Sequence, residues 1–456
     1  MTLTATQERR ALLAILLVAL MIRLAFPLFW DGLAGTEWPF PFGGDGADYV
    51  IHAENISDGN GFIGLTNEES GRPPLWPMVL SGPAALTDDV QVLQVFAALI
   101  GTATVAMIGL VGRRLGGQAV GLMAAAIAAV DPGLWIFEWP LLAEPMLMLG
   151  LATFLYVAYG YLEHPTLTKA LVLGALTSAL AMTRSEQILL SVLVVVPLIL
   201  TTSELGWADR IRRLAGAGAV AVLVLTPWFV FNQTRFEDPV LLSTGLGNTL
   251  VQGYCDSTFY GERTGYFDAQ CSFRLLLHPS MDGLDQSEAD PILRREAFDY
   301  AGDNLDRLVP VVVARQGRVW GFFRPASTVR EWADLYVVPR WATAAWFAGA
   351  WVLALFAVYG AVTLRGRSTA LYPLLGPFVI VVFVTGFTIG EPRYRAAAEP
   401  SLILLAAVGL VALLRHRPRR AGPDATEELS RPDGESDAKT RPAEPVVAGT
   451  GGAGSA

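Results

Sequence analysis

The sequence predicts an all-α polytopic membrane protein with about ten transmembrane helices. Hydrophobic residues make up 53% of the 456 positions and charged residues only 16%, whereas charged residues are about 25% of a typical soluble domain. Apolar runs of about 20 residues, the length that crosses a bilayer, recur along the chain. The 12 Trp and 12 Tyr residues suit the headgroup regions on either side of a membrane.

The predicted spans cover most of the chain. The first, 11–30, is interpreted as a membrane helix and not as a cleaved signal peptide, because it is too long and no small-residue cleavage site precedes Trp30 and Asp31. No internal repeat is visible, which gives no support to an inverted-repeat transporter. The other spans lie at 92–112, 118–137, 141–161, 169–183, 187–202, 214–231, 341–364, 369–389 and 400–414.

Arginine and lysine residues in the short loops predict the orientation, because these residues accumulate on the cytoplasmic side. With a cytoplasmic N-terminus, almost every basic cluster falls inside, and both termini of this multi-pass plasma-membrane protein lie in the cytoplasm. Arg184, Arg393 and Arg395 are the exceptions and fall on the outer side. The inside clusters lie at 9–10, 113–114, 169, 210–213, 365–367 and 415–420.

This topology divides the chain into four predicted regions. Residues 1–232 form an N-terminal transmembrane module whose first outer loop, 31–90, carries candidate catalytic residues. Residues 233–340 form an extracytoplasmic lobe of about 100 residues, which is large enough to fold as a small unit. Residues 341–415 form the C-terminal transmembrane helices, and 416–456, rich in Glu, Asp, Pro, Gly and Ala, are predicted to be a disordered cytoplasmic tail.

Composition also limits the partners and cofactors. The net charge of −9 argues against nucleic acid as a partner. Two cysteines, Cys255 and Cys271, are too few for a zinc cluster or a disulfide scaffold. Both lie in the outer lobe, where an oxidising compartment favours one disulfide between them, worth roughly 3 kcal/mol in ordering the lobe. Two buried free thiols are the alternative.

The first outer loop contains the strongest group of candidate catalytic residues. If a helix begins at Asp45, this residue caps its first turn, and Asp45, Asp48, Tyr49 and His52 share one face at i, i+3, i+4 and i+7 spacing. Two carboxylates, a phenol and an imidazole beside a membrane are suited to acid–base chemistry. The alternative is an ordinary helix start with a solvated face. The two acids could also hold a divalent cation, although no third ligand is evident.

A further acid and a further arginine lie close to membrane spans. Glu144 sits at the outer end of an apolar span, where an ionisable group is costly and marks a functional site by default. The alternative is a carboxylate that reaches the interface or balances the helix dipole. Arg72, in Arg72-Pro73-Pro74-Leu75-Trp76-Pro77, could reach a lipid headgroup or a substrate phosphate. A purely structural turn is the alternative there, since the prolines impose an extended entry.

Arginines on the outer side predict an anion-binding site. Arg184 and Glu186 lie in one outer turn, and Arg393, Tyr394 and Arg395 lie in another. Guanidinium groups bind phosphate oxygens through two parallel hydrogen bonds, so an anion would account for arginines on this side. The alternative is ion pairing with the neighbouring acids Glu186, Glu391 and Glu399.

The order of these motifs resembles that of the GT-C superfamily of polyprenyl-phosphate-dependent glycosyltransferases. The branch it looks most like is the protein O-mannosyltransferase and aminoarabinose transferase type, glycosyltransferase family 39, in an actinobacterial form. The resemblance covers most of residues 1–415. The motifs that carry it are Asp45-Gly46-Ala47-Asp48-Tyr49, Arg72-Pro73-Pro74-Leu75-Trp76-Pro77, Ala143-Glu144-Pro145, Thr183-Arg184-Ser185-Glu186, Arg315 to Trp320, Arg393-Tyr394-Arg395 and Glu399-Pro400.

The resemblance implies a fold of many helices with a catalytic first outer loop. It also implies transfer of a sugar from a polyprenyl-phosphate donor in the membrane to a glycan, lipid or protein acceptor outside the cytoplasm. Asp45 matches the catalytic acid of the family. Many members carry Asp-Glu at this point, whereas this chain has Asp45-Gly46 and its second acid stands at Asp48. Glu144 matches a recurrent acid of the family.

These matches imply roles for the candidate residues. Asp45 is the expected general base for an acceptor hydroxyl, in a single displacement that inverts the anomeric carbon. Asp48 or Glu144 would orient the acceptor or serve as the alternative base. A transporter or flippase of lipid-linked sugars and an inactive envelope scaffold are the alternatives. Candidate ionisable residues at the outer edges of the spans favour the enzyme. The expected substrate contacts are Tyr49, His52, Arg72, Arg184, Glu186, Arg393, Tyr394 and Arg395.

Overall fold

The computed structural model describes residues 3–29, 44–64, 71–366 and 370–415. Regular secondary structure within these ranges is helical, so the prediction of an all-helical protein is confirmed. The predicted tail, 416–456, lies outside the described residues, as do 30–43 and 65–70 of the first outer loop.

Five of the described helices are long and apolar enough to cross a membrane. Shorter apolar helices cover several other predicted spans, so the described residues contain five spans of full length where the sequence predicts about ten. The five are Val90–Gly116, Glu144–Glu163, Trp207–Gln233, Arg340–Gly366 and Pro392–Arg415. The shorter apolar helices are Gln118–Val130, Leu167–Ala181, Ser185–Leu200 and Tyr372–Phe387.

Glycines allow helices in the N-terminal region to pack closely. Gly117 has a φ of 80° and reverses the chain between two helices, which only glycine does without strain. A Cβ at Gly121 would lie 2.8 Å from the carbonyl oxygen of Gly109, so the two backbones are in contact there. The helices of this region are α1 (Ala5–Phe29), α2 (Asp45–Ser57), α3 (Leu75–Ala84), α4 (Val90–Gly116), α5 (Gln118–Val130), α6 (Pro132–Trp135), α7 (Glu144–Glu163), α8 (Leu167–Ala181), α9 (Val196–Leu200) and α10 (Trp207–Gln233).

Residues 233–340, the lobe predicted from the sequence, contain short helices around a small apolar core. Leu250, Phe259, Leu293 and Val311 are buried together in this core. A disulfide joins Cys255 and Cys271, with their Cα atoms 6.5 Å apart. The helices of the lobe are α11 (Gly245–Gly253), α12 (Asp256–Phe259), α13 (Ala269–Leu276), α14 (Gln286–Asp303), α15 (Leu305–Val319) and α16 (Pro325–Tyr336).

An aromatic cluster attaches the last helix of the lobe to the C-terminal helices, α17 (Arg340–Gly366), α18 (Tyr372–Phe387) and α19 (Glu399–Arg415). Trp332 of α16 and Trp346 of α17 have ring centroids 5.4 Å apart. Phe137 meets both rings edge-on, at 5.8 and 5.2 Å. All three rings are buried, and this geometry is favourable for aromatic pairs. The end of α16 is therefore held in a fixed position above the membrane helices.

We expect loss of the disulfide to destabilise the lobe, because the cross-link restricts the unfolded chain. Replacing Cys255 and Cys271 together by alanine should reduce the stability of the lobe by roughly 3 kcal/mol. Limited proteolysis in detergent, with cleavage sites mapped by mass spectrometry, should show faster cutting between these positions. Dithiothreitol should accelerate cleavage of the parent protein and leave the variant unchanged. Equal cleavage rates with and without the disulfide would contradict this expectation.

Candidate active site

Helix α2 begins at Asp45, where the sequence predicts a helix start. The chain enters it through Gly44, which has a φ of 68° in the left-handed region that favours glycine. The prediction that Asp45 caps the helix is wrong, because no side chain forms a cap hydrogen bond at this end. The carboxylate of Asp45 instead contacts two guanidinium groups from other segments.

Arg72 connects the two aspartates of α2. Its Nη2 atom lies 2.9 Å from Asp45 Oδ1, and its Nε atom donates a hydrogen bond to Asp48 Oδ2. Its guanidinium carbon lies 5.6 Å from the centroid of the Tyr49 ring. The segment that carries Arg72 therefore closes over one face of α2.

Arg393 connects Asp45 to Glu144. Its Nη1 atom donates to Asp45 Oδ2 at 2.5 Å, and its Nε atom donates to Glu144 Oε1 at 2.9 Å. Glu144 is the first residue of α7, and Arg393 lies in the 3₁₀ helix Pro392–Ala398. One guanidinium of the 3₁₀ helix thus links the start of α2 to the start of α7.

Arg184 binds the same oxygen of Glu144. Its Nη1 atom donates to Glu144 Oε1 at 2.7 Å, and its Nε atom donates to Glu186 Oε1 at 2.7 Å. The guanidinium carbon lies 4.3 Å from the centroid of the Tyr394 ring, a distance typical of a cation–π contact. The two outer turns predicted to bind an anion therefore meet at Glu144.

Exposure differs sharply within this cluster. The side chain of Glu144 is 0% exposed and that of Arg393 is 6% exposed. The side chains of Asp45 and Arg72 are 30% and 36% exposed. The accessible edge of the cluster therefore lies at Asp45 and Arg72, and Glu144 lies at its base.

Two residues that the sequence analysis did not assign to the site complete the cluster. The hydroxyl group of Tyr336 donates to Glu391 Oε1 at 2.8 Å and accepts from Arg393 Nη1 at 3.0 Å. Tyr336 ends α16 in the lobe and belongs to no recognisable motif. Glu391 appeared only as an alternative partner of Arg393, whereas it reaches that arginine through the phenol.

His52 lies behind Asp48 and away from the arginines. Its Nδ1 atom is 2.7 Å from the backbone oxygen of Asp48, to which it donates, and its ring centroid is 4.5 Å from that of Phe62. Its Nε2 atom is buried and has no hydrogen-bond partner among the described residues. Burial lowers the pKa of His52, and the charge of Asp48 acts in the opposite direction. This geometry suits a residue that supports Asp48.

Arg395 does not join the cluster, so its prediction as a phosphate contact needs correction. Its Nε atom donates to Glu399 Oε1 at 2.9 Å, and both side chains are 1% exposed. Residues two apart in a 3₁₀ helix point in different directions, because each residue turns the chain by about 120°. Arg393 therefore faces Asp45, while Arg395 faces the inside of the helical bundle.

The arginines control the protonation of Asp45. Burial acts to raise its pKa, but the charges of Arg72 and Arg393 and the hydrogen bond from Arg393 outweigh burial and lower the pKa below its ordinary value of 3.8. Asp45 is therefore ionised at neutral pH. A lowered pKa also makes a carboxylate a weaker base, so its basicity depends on where the two guanidinium groups are.

Acidic side chains outnumber basic ones in the cluster. Glu391 is the carboxyl group most able to hold a proton, because burial raises its pKa from 4.5 to about 7 against the lowering effect of Arg393 and Tyr336. The basic members are Arg72, Arg184 and Arg393. The acidic members are Asp45, Asp48, Glu144, Glu186 and Glu391.

A divalent cation does not fit between Asp45 and Asp48 in this arrangement. The guanidinium of Arg72 bridges the two carboxylates, in the position that such a cation would need. Within the described residues, no group of three or more His, Cys, Asp or Glu side chains could hold a metal ion.

Comparison with solved structures identifies the architecture. The oligosaccharyltransferase AglB from Archaeoglobus fulgidus, solved in complex with an inhibitory peptide and a dolichol-phosphate, matches with a TM-score of 0.51 and 15% sequence identity over 93% of this chain. The chain has the GT-C fold. Since five of its helices are also long and apolar enough to cross a membrane, this GT-C chain is a membrane protein.

The GT-C match covers 52% of the AglB chain, so this protein spans about half the length of that relative. ArnT from Cupriavidus metallidurans, solved with undecaprenyl phosphate bound, matches with a TM-score of 0.41 and 16% identity over 90% of this chain and 79% of ArnT. No protein-family model matches the sequence, and no curated protein matches it either.

We expect Glu391 to make stability fall as the pH rises. The folded protein holds the Glu391 proton up to a pKa of about 7, against 4.5 for an ordinary glutamate. The resulting stabilisation is complete below the lower value and is lost as pH rises through the higher one. Glu391→Gln should therefore flatten the decrease in unfolding temperature between about pH 5 and about pH 8. Glu296→Gln, at an exposed position of α14, should keep the parental slope, and an unchanged slope in Glu391→Gln would contradict the assignment.

We expect Arg393 and Arg395 to differ in their effects on stability. Arg395→Met leaves Glu399 buried without its charged partner and with the hydrogen bond from Trp346 Nε1, which should cost about 3–5 kcal/mol. Arg393→Met leaves Glu144 still bonded to Arg184, so its effect on stability should be smaller. Unfolding temperatures in detergent would measure both, and Arg395→Met combined with Glu399→Leu should regain much of the loss. A larger loss in Arg393→Met than in Arg395→Met would oppose the distinction.

Proposed function

We propose that this protein is a membrane glycosyltransferase that moves a sugar from a polyprenyl-phosphate donor to an acceptor outside the cytoplasm. The observation that supports this best is the meeting of Asp45 with Arg72 and Arg393 at the accessible edge of the cluster. A carboxylate able to accept a proton there adjoins guanidinium groups able to bind a phosphate. The GT-C fold supports a membrane enzyme of this class.

The donor phosphate competes with Asp45 for its two arginines. Arg72 and Arg393 each present several N–H donors, and a phosphate accepts bidentate hydrogen bonds from such groups. When phosphate oxygens replace the carboxylate at one or both guanidinium groups, Asp45 loses the charges that lower its pKa. Donor binding therefore makes Asp45 a stronger base at the moment when an acceptor is needed.

The transfer is a single displacement. The acceptor hydroxyl oxygen attacks the anomeric carbon, its proton passes to Asp45, and the bond from the anomeric carbon to the phosphate oxygen breaks. The electron pair of that bond leaves with the polyprenyl phosphate, whose developing charge Arg393 and Arg184 stabilise. The configuration at the anomeric carbon is inverted. After the transfer, Asp45 carries the proton of the acceptor hydroxyl. The polyprenyl phosphate, which has lost its sugar, can then leave the site.

The remaining residues hold these groups in place. Asp48 receives Arg72 on one side and is supported by His52 on the other. Glu144 holds Arg184 and Arg393 together at the base of the cluster. The ring of Tyr49 packs against Arg72. Arg184 is held by Glu186 and by the ring of Tyr394. In this proposal the site faces the outside of the plasma membrane, and the acceptor is a hydroxyl group of a glycan, lipid or protein.

We expect Asp45→Asn to abolish most of the transfer. Removing a general base lowers the rate roughly 10²–10⁴-fold. The variant should still fold, because Arg72 remains bonded to Asp48 and Arg393 remains bonded to Glu144. The measurement is transfer of labelled sugar from polyprenyl-phosphate donors in membranes that contain each variant. Asp58→Asn is the matched control, because it makes the same change at the exposed end of the same helix.

Transfer at the parental rate by Asp45→Asn would remove this residue from the catalytic role. Passage of the labelled donor across the bilayer without transfer would favour a lipid-sugar transporter instead. Mass spectrometry of envelope glycans from a deletion strain would identify the sugar and the acceptor together.

A further inference from the structure

The N-terminal turn of α14 in the lobe contacts the segment that carries Arg72. Gln286 Oε1 accepts a hydrogen bond from the backbone N–H of Gly71 at 2.8 Å. The same oxygen accepts from the hydroxyl group of Thr244 at 3.1 Å. The backbone N–H of Thr244 in turn donates to the carbonyl oxygen of Gly71 at 3.0 Å. Both backbone polar groups of Gly71 are therefore bound by the lobe.

Gly71 is packed too tightly to carry a side chain. A Cβ atom at this position would lie 2.7 Å from Thr244 Cβ and 2.8 Å from the Thr244 backbone nitrogen, closer than real Cβ contacts allow. The close approach of the two backbones therefore depends on glycine. Since Gly71 immediately precedes Arg72, the lobe fixes the origin of the Arg72 side chain.

The residues on either side of Gln286 tie the same turn to the end of α10. Asp285 Oδ2 accepts from the backbone N–H of Glu237 at 2.8 Å. Ser287 Oγ accepts from the backbone N–H of Asp238 at 2.9 Å. Three consecutive side chains of one helix turn thus each bind the backbone of a distant segment, and of the three Gln286 is the one that binds the segment carrying Arg72.

The far end of the Arg72 segment is bound to the membrane helices. The backbone N–H of Leu75 donates to the carbonyl oxygen of Met182 at 2.9 Å, two residues before Arg184. Arg72 therefore lies between one attachment to the lobe and one to the end of α8. The Arg72 side chain is still 36% exposed, so these two backbone attachments act together with its ion pairs to Asp45 and Asp48 in fixing its position.

We propose that Gln286 is a positioning residue, through which the lobe holds Arg72 between Asp45 and Asp48. Gln286 touches neither aspartate and acts through the Gly71 backbone. The effect of Gln286 on sugar transfer rests on the proposed function, whereas its effect on the placement of Arg72 does not. The lobe thereby helps to fix the position of Arg72 at the accessible edge of the site.

The test measures the reactivity of Arg72 itself in the full-length protein in detergent. Phenylglyoxal modifies guanidinium groups, and mass spectrometry of the peptide that contains Arg72 gives its rate of modification. Gln286→Leu removes the acceptor oxygen, and Gln286→Glu keeps it. Gln252→Leu is the matched control, because Gln252 is also half-buried in the lobe and its side chain donates hydrogen bonds to two other lobe residues, Asn248 and Ser272.

We expect Gln286→Leu to raise the modification rate of Arg72 about fivefold, the factor that corresponds to one hydrogen bond of about 1 kcal/mol. Gln286→Glu and Gln252→Leu should stay near the parental rate. In the transfer assay, Gln286→Leu should lower kcat, and Gln286→Glu should restore it. Since the mechanism uses Arg72 for the donor phosphate, Gln286→Leu and Arg72→Lys should also be non-additive when combined.

An unchanged rate of Arg72 modification in Gln286→Leu would overturn the proposal. An equal increase in Gln252→Leu would also overturn it, because general loosening of the lobe would then explain the result. If Gln286→Leu alone raises the modification rate and no variant, including the parent, transfers sugar, the positioning role stands and the proposed function fails. The same set of variants therefore tests the positioning role of Gln286 and the proposed function separately.

Discussion

The candidate site depends on one buried carboxylate. Glu144 has no exposed side-chain surface, and its Oε1 atom accepts hydrogen bonds from both Arg184 and Arg393. A carboxylate this deeply buried is tolerated only when it is paired and hydrogen-bonded. The two arginines satisfy that requirement, and in doing so they bring together the start of α7, the end of α8 and the turn before α19. Asp45 then joins this assembly by accepting a hydrogen bond from Nη1 of Arg393.

The excess of acidic groups has a functional meaning in the proposed reaction. In the structure, carboxylates occupy the guanidinium donors that a phosphate would need. In the proposal, every arginine of the cluster is paired with a carboxylate before the anionic donor arrives, which avoids leaving buried arginines unpaired. Exchange of carboxylate for phosphate then releases Asp45 as a base. Burial raises the pKa of Glu391 to about 7, so this carboxyl group is protonated part of the time at neutral pH and then adds no negative charge beside the arginines.

Local patterns in the sequence predicted part of this arrangement. The spacing of Asp45, Asp48 and His52 identified one helix face, and the position of Glu144 in an apolar span identified a costly buried acid. Arg184 and Arg393 were singled out because, in the predicted orientation, they oppose the usual charge bias of membrane proteins. Each of these inferences could be made from the sequence because it depends on a rule that acts within a few residues or on the membrane as a whole.

The rest required knowledge of distant contacts. Sequence spacing could not reveal that Pro392–Ala398 is a 3₁₀ helix, so Arg393 and Arg395 looked equivalent although they face different surroundings. Tyr336 reaches the site because the aromatic contacts of Trp332 fix the end of α16. These contacts could not be predicted from any sequence motif. Asp45 was expected at a helix cap because the arginines that compete for its carboxylate are far away in sequence.

The sharing of one oxygen atom by two guanidinium groups links the evolutionary histories of three positions. Loss of Glu144 would leave two largely buried cations without their common partner, and loss of either arginine would leave the other to carry the whole carboxylate. A single substitution at any of these positions therefore breaks a buried ion pair and leaves the other two residues with an unbalanced charge. In related chains the three residues should persist together or disappear together.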